Sequence, residues 1–201
     1  TGAFASSYKA RVLPNFLSVI DDPTLKAFQG KSLVGSYAVD SEGVKAHAVK
    51  TIENGILTNY LIGRQPLRDF PVSNGHGRAA TGSFPSPSLG VLLVQTSEAQ
   101  TPDDLKKKVI QIVTDQGKPY GYRVETLGPG NSPRLLYRVY AKDGHEELVR
   151  GAVFNELDTR ALRMDVIAAG NDPLVDNRAG GVPTTVISPS LLFDELEVKR
   201  A

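Results

Sequence analysis

Three histidines, no cysteine and several adjacent carboxylates are what this chain offers to chemistry. His145-Glu146 begins like the zinc-binding helix His-Glu-x-x-His, where two imidazoles share one helix face and the glutamate serves as general base. The second histidine is missing, because Val149 and Arg150 stand where it belongs, and the Asp143-Gly144 turn just ahead predicts the start of a strand. His145 therefore reads as an exposed hairpin residue. The string Ser73-Asn74-Gly75-His76-Gly77-Arg78 is more productive. Glycines on both sides of His76 remove bulk and let a ligand approach backbone N–H groups. His76 is a candidate to bind a ligand or shuttle a proton, and Arg78 to pair with a carboxylate. The plain alternative is a turn with polar tips in solvent. His47, flanked by alanines on an expected strand, reads as structural.

Carboxylates are paired at Asp21-Asp22, Asp103-Asp104, Glu146-Glu147 and Asp194-Glu195. Adjacent residues on an extended chain point to opposite faces, so none is a ready acid/base pair. Asp21-Asp22-Pro23-Thr24 is expected to end a strand in a turn. The chain has no Gly-x-Ser-x-Gly elbow, no Gly-Lys-Ser/Thr phosphate loop and no dinucleotide fingerprint after a strand, which argues against a stand-alone enzyme. Without cysteine there are no disulfides, thiol nucleophiles or iron–sulfur ligands, and any metal would rest on histidine and carboxylate.

The elements that must position these residues are mostly strands. The 19 glycines and 13 prolines punctuate short stretches rich in Val, Ile, Leu, Thr and Tyr, the texture of antiparallel β-structure. Residues 46–53 and 56–62 flank Asn54-Gly55, the pair a type I′ hairpin turn requires. A second hairpin is expected from residues 134–141 and 146–153. Shorter strands are expected at 18–20, 33–39, 89–95, 122–127, 164–169, 183–188 and 192–198. One helix is signalled by Thr101 as N-cap, Pro102 at its first position, Asp103 and Asp104 at the positive end of the dipole, and Gly117 beyond its last turn. Leu105, Val109, Ile112 and Val113 form its apolar stripe, with Lys106, Lys107 and Lys108 outward. A short helical turn is read at 158–163. Residues 65–89 and 170–183, dense in Gly, Pro, Asn and Asp, read as irregular loops of functional length. The fold class is mainly β (α+β), an antiparallel sandwich or curled barrel with one or two short helices.

Bulk properties narrow the field further. Apolar residues are 40% and charged residues 22%, with 23 Lys+Arg against 22 Asp+Glu, which fits neither a disordered polyelectrolyte nor a basic nucleic-acid binder. Apolar runs such as 91–94 and 166–169 fall far short of the roughly 20 residues of a spanning helix. A cytoplasmic protein without membrane contact is expected. The opening residues lack an initiator Met and a signal-peptide pattern, and read as an internal start.

Taken in order, Val19-Ile-Asp-Asp-Pro-Thr24, Asp40-Ser-Glu-Gly43, Ile52-Glu-Asn-Gly-Ile-Leu57, Tyr60-Leu61, Ser73 to Arg78, Gly170-Asn171-Asp172, Ser188-Pro-Ser-Leu-Leu192 and Leu196-Glu-Val198 cover nearly the whole chain. This series resembles the TldD/PmbA family, described as modulators of DNA gyrase and as zinc-dependent metalloproteases. The resemblance implies a single C-terminal domain over residues 1–201, mainly antiparallel β, following an α/β region that carries a His-Glu-x-x-x-His metal helix upstream of Phe4. It also implies a further cysteine ligand near residues 177–181, where this chain reads Asn-Arg-Ala-Gly-Gly. No family metal ligand maps onto this chain, so the resemblance implies no cofactor here, zinc in the full-length parent, and no hydrolysis by the fragment alone. The implied role is to shape a peptide-binding cleft and subunit contacts, with a peptide or protein substrate and a homo- or heterodimer partner. Asn74, Gly75, His76, Gly77 and Arg78, with Asn171 and Asp172, are the expected substrate-binding walls. The alternative is a non-catalytic dimerisation domain of an inactive paralogue. Nucleic acid is not an expected partner.

Overall fold

The computed structural model of the chain describes residues 4–127, 132–154 and 157–200; Thr1 to Ala3 of the opening string lie outside them. In chain order the first strands are β1 (Leu17–Asp21), β2 (Ala27–Phe28), β3 (Lys31–Ser32), β4 (Val49–Glu53), β5 (Ile56–Leu57), β6 (Gly77–Arg78), β7 (Ser86–Pro87), β8 (Val91–Thr96) and β9 (Ala99–Gln100). Helix α1 (Pro102–Asp115) follows, then β10 (Tyr120–Leu127), β11 (Pro133–Tyr140), β12 (Glu146–Val149), β13 (Ala152–Phe154) and α2 (Thr159–Met164). The chain closes with β14 (Val166–Gly170), β15 (Leu174–Arg178), β16 (Thr184–Ser188), β17 (Leu191–Phe193) and β18 (Val198–Arg200). The described residues are thus mainly β with two helices, an α+β arrangement. The chain divides into two compact units, Thr1–Ser97 with Pro173–Pro189, and Glu98–Asp172 with Ser190–Ala201.

The first unit is built on a six-stranded sheet ordered β15-β16-β8-β1-β4-β5. All its pairs are antiparallel except β16 with β8. Leu17, Val19 and Asp21 alternate inward along β1, and Thr185 and Ile187 along β16, the period of two that a sheet facing a core requires. This phase carries the Asp21 carboxylate into the interior, where Val91 N–H donates to it. At the β5 edge, Lys9 N–H donates to the Leu57 carbonyl and Leu57 N–H to the Ala10 carbonyl, so the first segment covers it. At the other edge, β15 has β16 as its only sheet neighbour among the described residues.

In the second unit β10, β11 and β12 form an antiparallel meander, β14 lies between β17 and β9, and β13 pairs with β18. Thr101 Oγ1 accepts from Asp104 N–H to cap α1. Its far end closes with Gly117 at φ 65°, Gly117 N–H on Thr114 O and Lys118 N–H on Val113 O. Asp158 caps α2 through the N–H groups of Arg160 and Ala161.

Several expectations need correction. Residues 33–39 are not a strand: Gly35 must pass so close to β8 that a Cβ on it would sit 2.1 Å from the Gly90 carbonyl, and the segment turns instead. Residues 170–183 are not wholly loop, because β15 pairs with β16 from Leu174 to Arg178 despite its turn-forming composition. The expected strand 192–198 is two pieces, β17 paired with β14 and β18 with β13. The second arm of the 146–153 hairpin breaks at Gly151, φ 74°, into β12 and β13. Among the described residues no sheet closes on itself, so the curled-barrel alternative falls.

Candidate functional site

The Asn74 to Arg78 string is held from inside. His76 is 0% exposed, as is Asp21, and its Nε2 lies 3.3 Å from Asp21 Oδ1. Its Nδ1 faces Asn74 O at 3.0 Å and Asn74 Oδ1 at 3.1 Å. Asn74 is fixed in turn, its Oδ1 accepting from Ile62 N–H and its Nδ2 donating to Tyr60 O, both at 2.8 Å. Asp21 also accepts from Gly90 N–H and Val91 N–H at 3.1 Å. A buried carboxylate persists only when its lone pairs are so occupied. His76 is thus a buried crosslink between β1 and the loop, neither a solvent-facing tip nor open to ligand.

Two further groups that the residue patterns left unremarked complete the arrangement. Asp40 Oδ2 accepts from Gly77 N–H at 2.9 Å, while its Oδ1 accepts from Glu42 and Val44 N–H to close a tight turn. Tyr37 Oη donates to Gly75 O at 2.9 Å, and burial pushes its phenol far above the ordinary value. Asp-Ser-Glu-Gly at 40–43 carries an Asx-turn signature that marks Asp40; nothing local marks Tyr37. Gly75 is required twice over, at φ 77° and with a Cβ position 2.4 Å from the Lys45 carbonyl.

Arg78 behaves differently. Its guanidinium carbon lies 4.5 Å from the Tyr37 ring centroid, and Nη1 donates to both Leu89 O and Pro183 O at 2.6 Å. Burial pulls it below the ordinary arginine value, partly offset by Tyr37 and Asp21. Close by, a groove of about 410 Å³ is lined by Leu61, Pro87, Ser88, Leu89, Val182 and Thr184.

The other two expected wall residues belong to the second unit. Asn171 N–H donates to Gln100 O at 2.8 Å. Asp172 accepts from Ser190 N–H at 3.1 Å and Ser190 Oγ at 2.6 Å, a clasp between the chain's departure from this unit and its return. His145 sits where expected, its N–H on Asp143 Oδ1 just before β12.

Zinc, which the resemblance implies for the full-length parent, meets no set of donors in the described residues that would hold it alone. Among the described residues no three His, Cys, Asp or Glu side chains converge. Where the cysteine is expected, Asn177 Oδ1 accepts from Val34 N–H and Thr185 Oγ1, and its Nδ2 donates to Ser32 O, so the side chain ties β15 and β16 to residues 32–34. No helix among the described residues is long and apolar enough to cross a membrane.

Comparison with known proteins gives a consistent answer. Residues 1–200 match the family model described as PmbA/TldA metallopeptidase C-terminal domain. A protein named metalloprotease from Methanothermobacter thermautotrophicus is 37% identical over 70 residues, 34% of this chain and 14% of that protein. TldE from Thermococcus kodakarensis superposes with a TM-score of 0.68 at 13% identity, over 97% of this chain and 42% of that one. A candidate modulator of DNA gyrase from Thermotoga maritima gives 0.67 at 20% identity, over 98% and 42%. At these identities the structures show a shared fold, and the chain spans well under half of each relative's length.

Proposed function

The chain belongs to the PmbA/TldD family, and from that membership we propose that it forms the β-rich C-terminal part of a peptide hydrolase, supplying walls of a substrate cleft and subunit contacts. In this reading the metal, zinc, is held by residues outside this chain, and the chain alone does not hydrolyse peptides. The observation that carries the reading is the single-sided pairing of β15. A strand with one free edge adds an extended peptide through main-chain hydrogen bonds, which gives affinity without demanding a sequence. The loop of Asn74, Gly75, His76, Gly77 and Arg78 belongs to the same unit. Its inner members fix the backbone so that Arg78 is presented to the peptide. Asn171 and Asp172 serve the second unit in the same manner, as a rigid wall.

The second reading, a non-catalytic dimerisation domain, draws support from Leu127, Leu135 and Leu148, large apolar side chains exposed on β10, β11 and β12. Zinc analysis and casein cleavage on one preparation of the full-length protein separate the two. Zinc near one equivalent with cleavage supports the cleft-wall reading. A protein that dimerises but holds no zinc and leaves casein intact supports the second.

A further inference from the structure

Arg78 is a half-buried cation whose hydrogen bonding is incomplete. Nη1 is committed to Leu89 O and Pro183 O, while Nε and Nη2 have no partner among the described residues. No ion pair among those residues includes Arg78. Among the described residues the enclosed side-chain atoms without a partner are Gln100 Oε1 and Arg138 Nε, so the free N–H groups of Arg78 reach solvent. A partly desolvated guanidinium stacked on a neutral ring, with no direct ion pair and only the buried Asp21 carboxylate in electrostatic reach, keeps donors that an anion with fork-matching oxygens satisfies.

The place of this cation matters. Leu89, one of its two carbonyl acceptors, lines the 410 Å³ groove, and the other, Pro183, sits between Val182 and Thr184, which line it too. The guanidinium therefore ties together two of the three chain segments that wall the groove. Four of the six lining residues, Leu61, Pro87, Leu89 and Val182, are apolar, and the groove is open to solvent. Thr184 is also the register partner of Arg178, the last residue of the free-edged strand β15. An extended strand laid along that edge runs toward the groove and the cation.

We infer that Arg78 and this groove form a subsite for the C-terminal residue of a peptide, with its apolar side chain in the groove and its carboxylate on Nε and Nη2 of Arg78. The inference rests on the cleft-wall reading and adds to it a preference for a free, apolar C-terminus. Tyr37 and the Leu89 and Pro183 carbonyls position the guanidinium; the substrate carboxylate accepts from its free donors.

The test is calorimetric titration of the full-length protein with acetyl-Gly-Leu as free acid, with the same dipeptide as C-terminal amide, and with acetyl-Gly-Asp amide. The free acid binds about tenfold or more tightly than the leucine amide, the worth of a charge-assisted pair. The aspartyl amide, which carries a carboxylate without the apolar body, also binds more weakly than the free acid. Arg78→Met abolishes the preference of acid over amide, and Arg78→Lys retains part of it. Should Arg78→Met fail to fold, the acid-to-amide ratio in the unaltered protein decides alone. Equal binding of acid and amide overturns the subsite and leaves the cleft-wall reading standing. Absence of binding by every peptide overturns both. A dimer that Val182→Asp dissociates, without acid preference, assigns the groove to a second copy of the chain and likewise overturns the subsite.

Discussion

Replacing Asp21 by Ala should be among the most damaging single changes in the first unit, and the structure fixes its scale. The carboxylate is fully buried and accepts from Gly90 N–H and Val91 N–H at 3.1 Å, with His76 Nε2 at 3.3 Å. Truncation orphans two enclosed amides and one imidazole together. Each orphaned buried donor costs about 1–3 kcal/mol, so three together cost at least about 3 kcal/mol. The expected loss is therefore at least about 3 kcal/mol, a large share of the roughly 5–15 kcal/mol that holds a typical domain. In urea, with a slope of about 2 kcal/mol per M, the midpoint falls by roughly 2 M. Asp22, the adjacent carboxylate, makes its bonds to Thr24 N–H at 3.0 Å and Thr24 Oγ1 at 2.6 Å in an exposed turn, so Asp22→Ala costs about 1 kcal/mol. Asp21→Asn, which keeps an acceptor oxygen, falls between the two. Urea unfolding followed by far-ultraviolet circular dichroism measures all three variants, and amide hydrogen exchange at Gly90 and Val91 reports the site itself. If Asp21→Ala and Asp22→Ala lose the same stability, the buried crosslink has no special worth and the reasoning fails.

Gly75→Ala meets both a left-handed backbone and the Lys45 carbonyl at 2.4 Å, and costs about 3 kcal/mol or more, whereas Gly82→Ala, with φ 78° and open space, costs about 1–2 kcal/mol; thermal unfolding of the pair checks the difference. Glu146 is bonded to Lys106 Nζ and Arg123 Nη2, each at 2.9 Å, and the Lys106 bond with the Arg123 bond and charge hold its carboxyl below the usual range despite opposing desolvation. A depressed folded value means stability present above the unfolded carboxylate range and lost as pH falls through the lower folded value. Tm measured between about pH 5 and pH 2 should decline less steeply in Glu146→Gln than in the unaltered protein; parallel declines would contradict the assignment.

How far the chain's own residue patterns reach is clearest at the two hairpins and at α1. Asn54-Gly55 joins β4 and β5 as its turn chemistry requires, with Asn54 at φ 47° and Gly55 at φ 78°. Thr101, Pro102 and Gly117 delimit α1 through bonds only a few residues long. What escaped depends on distant partners. β15 is a strand because β16 and the Asn177 bridge to Ser32 and Val34 hold it extended, although its composition favours turns. His76 is inward because Asp21, 55 positions earlier, waits on the buried phase of β1. The glycines beside His76 read as room for a ligand, but Gly75 and Gly77 admit the Lys45 carbonyl and the Glu42 carboxylate instead. Arg78, expected to meet a carboxylate, meets two carbonyls and a tyrosine face and keeps donors free.

The central claim is that this chain shapes a peptide-binding wall and contributes no ligand to the metal. Zinc stoichiometry of the isolated 201-residue chain, measured by mass spectrometry after incubation with zinc and exhaustive dialysis, tests it most directly. Retention far below one equivalent is the predicted result. Retention of a full equivalent, lost on replacing Asn177 or His76, would contradict it.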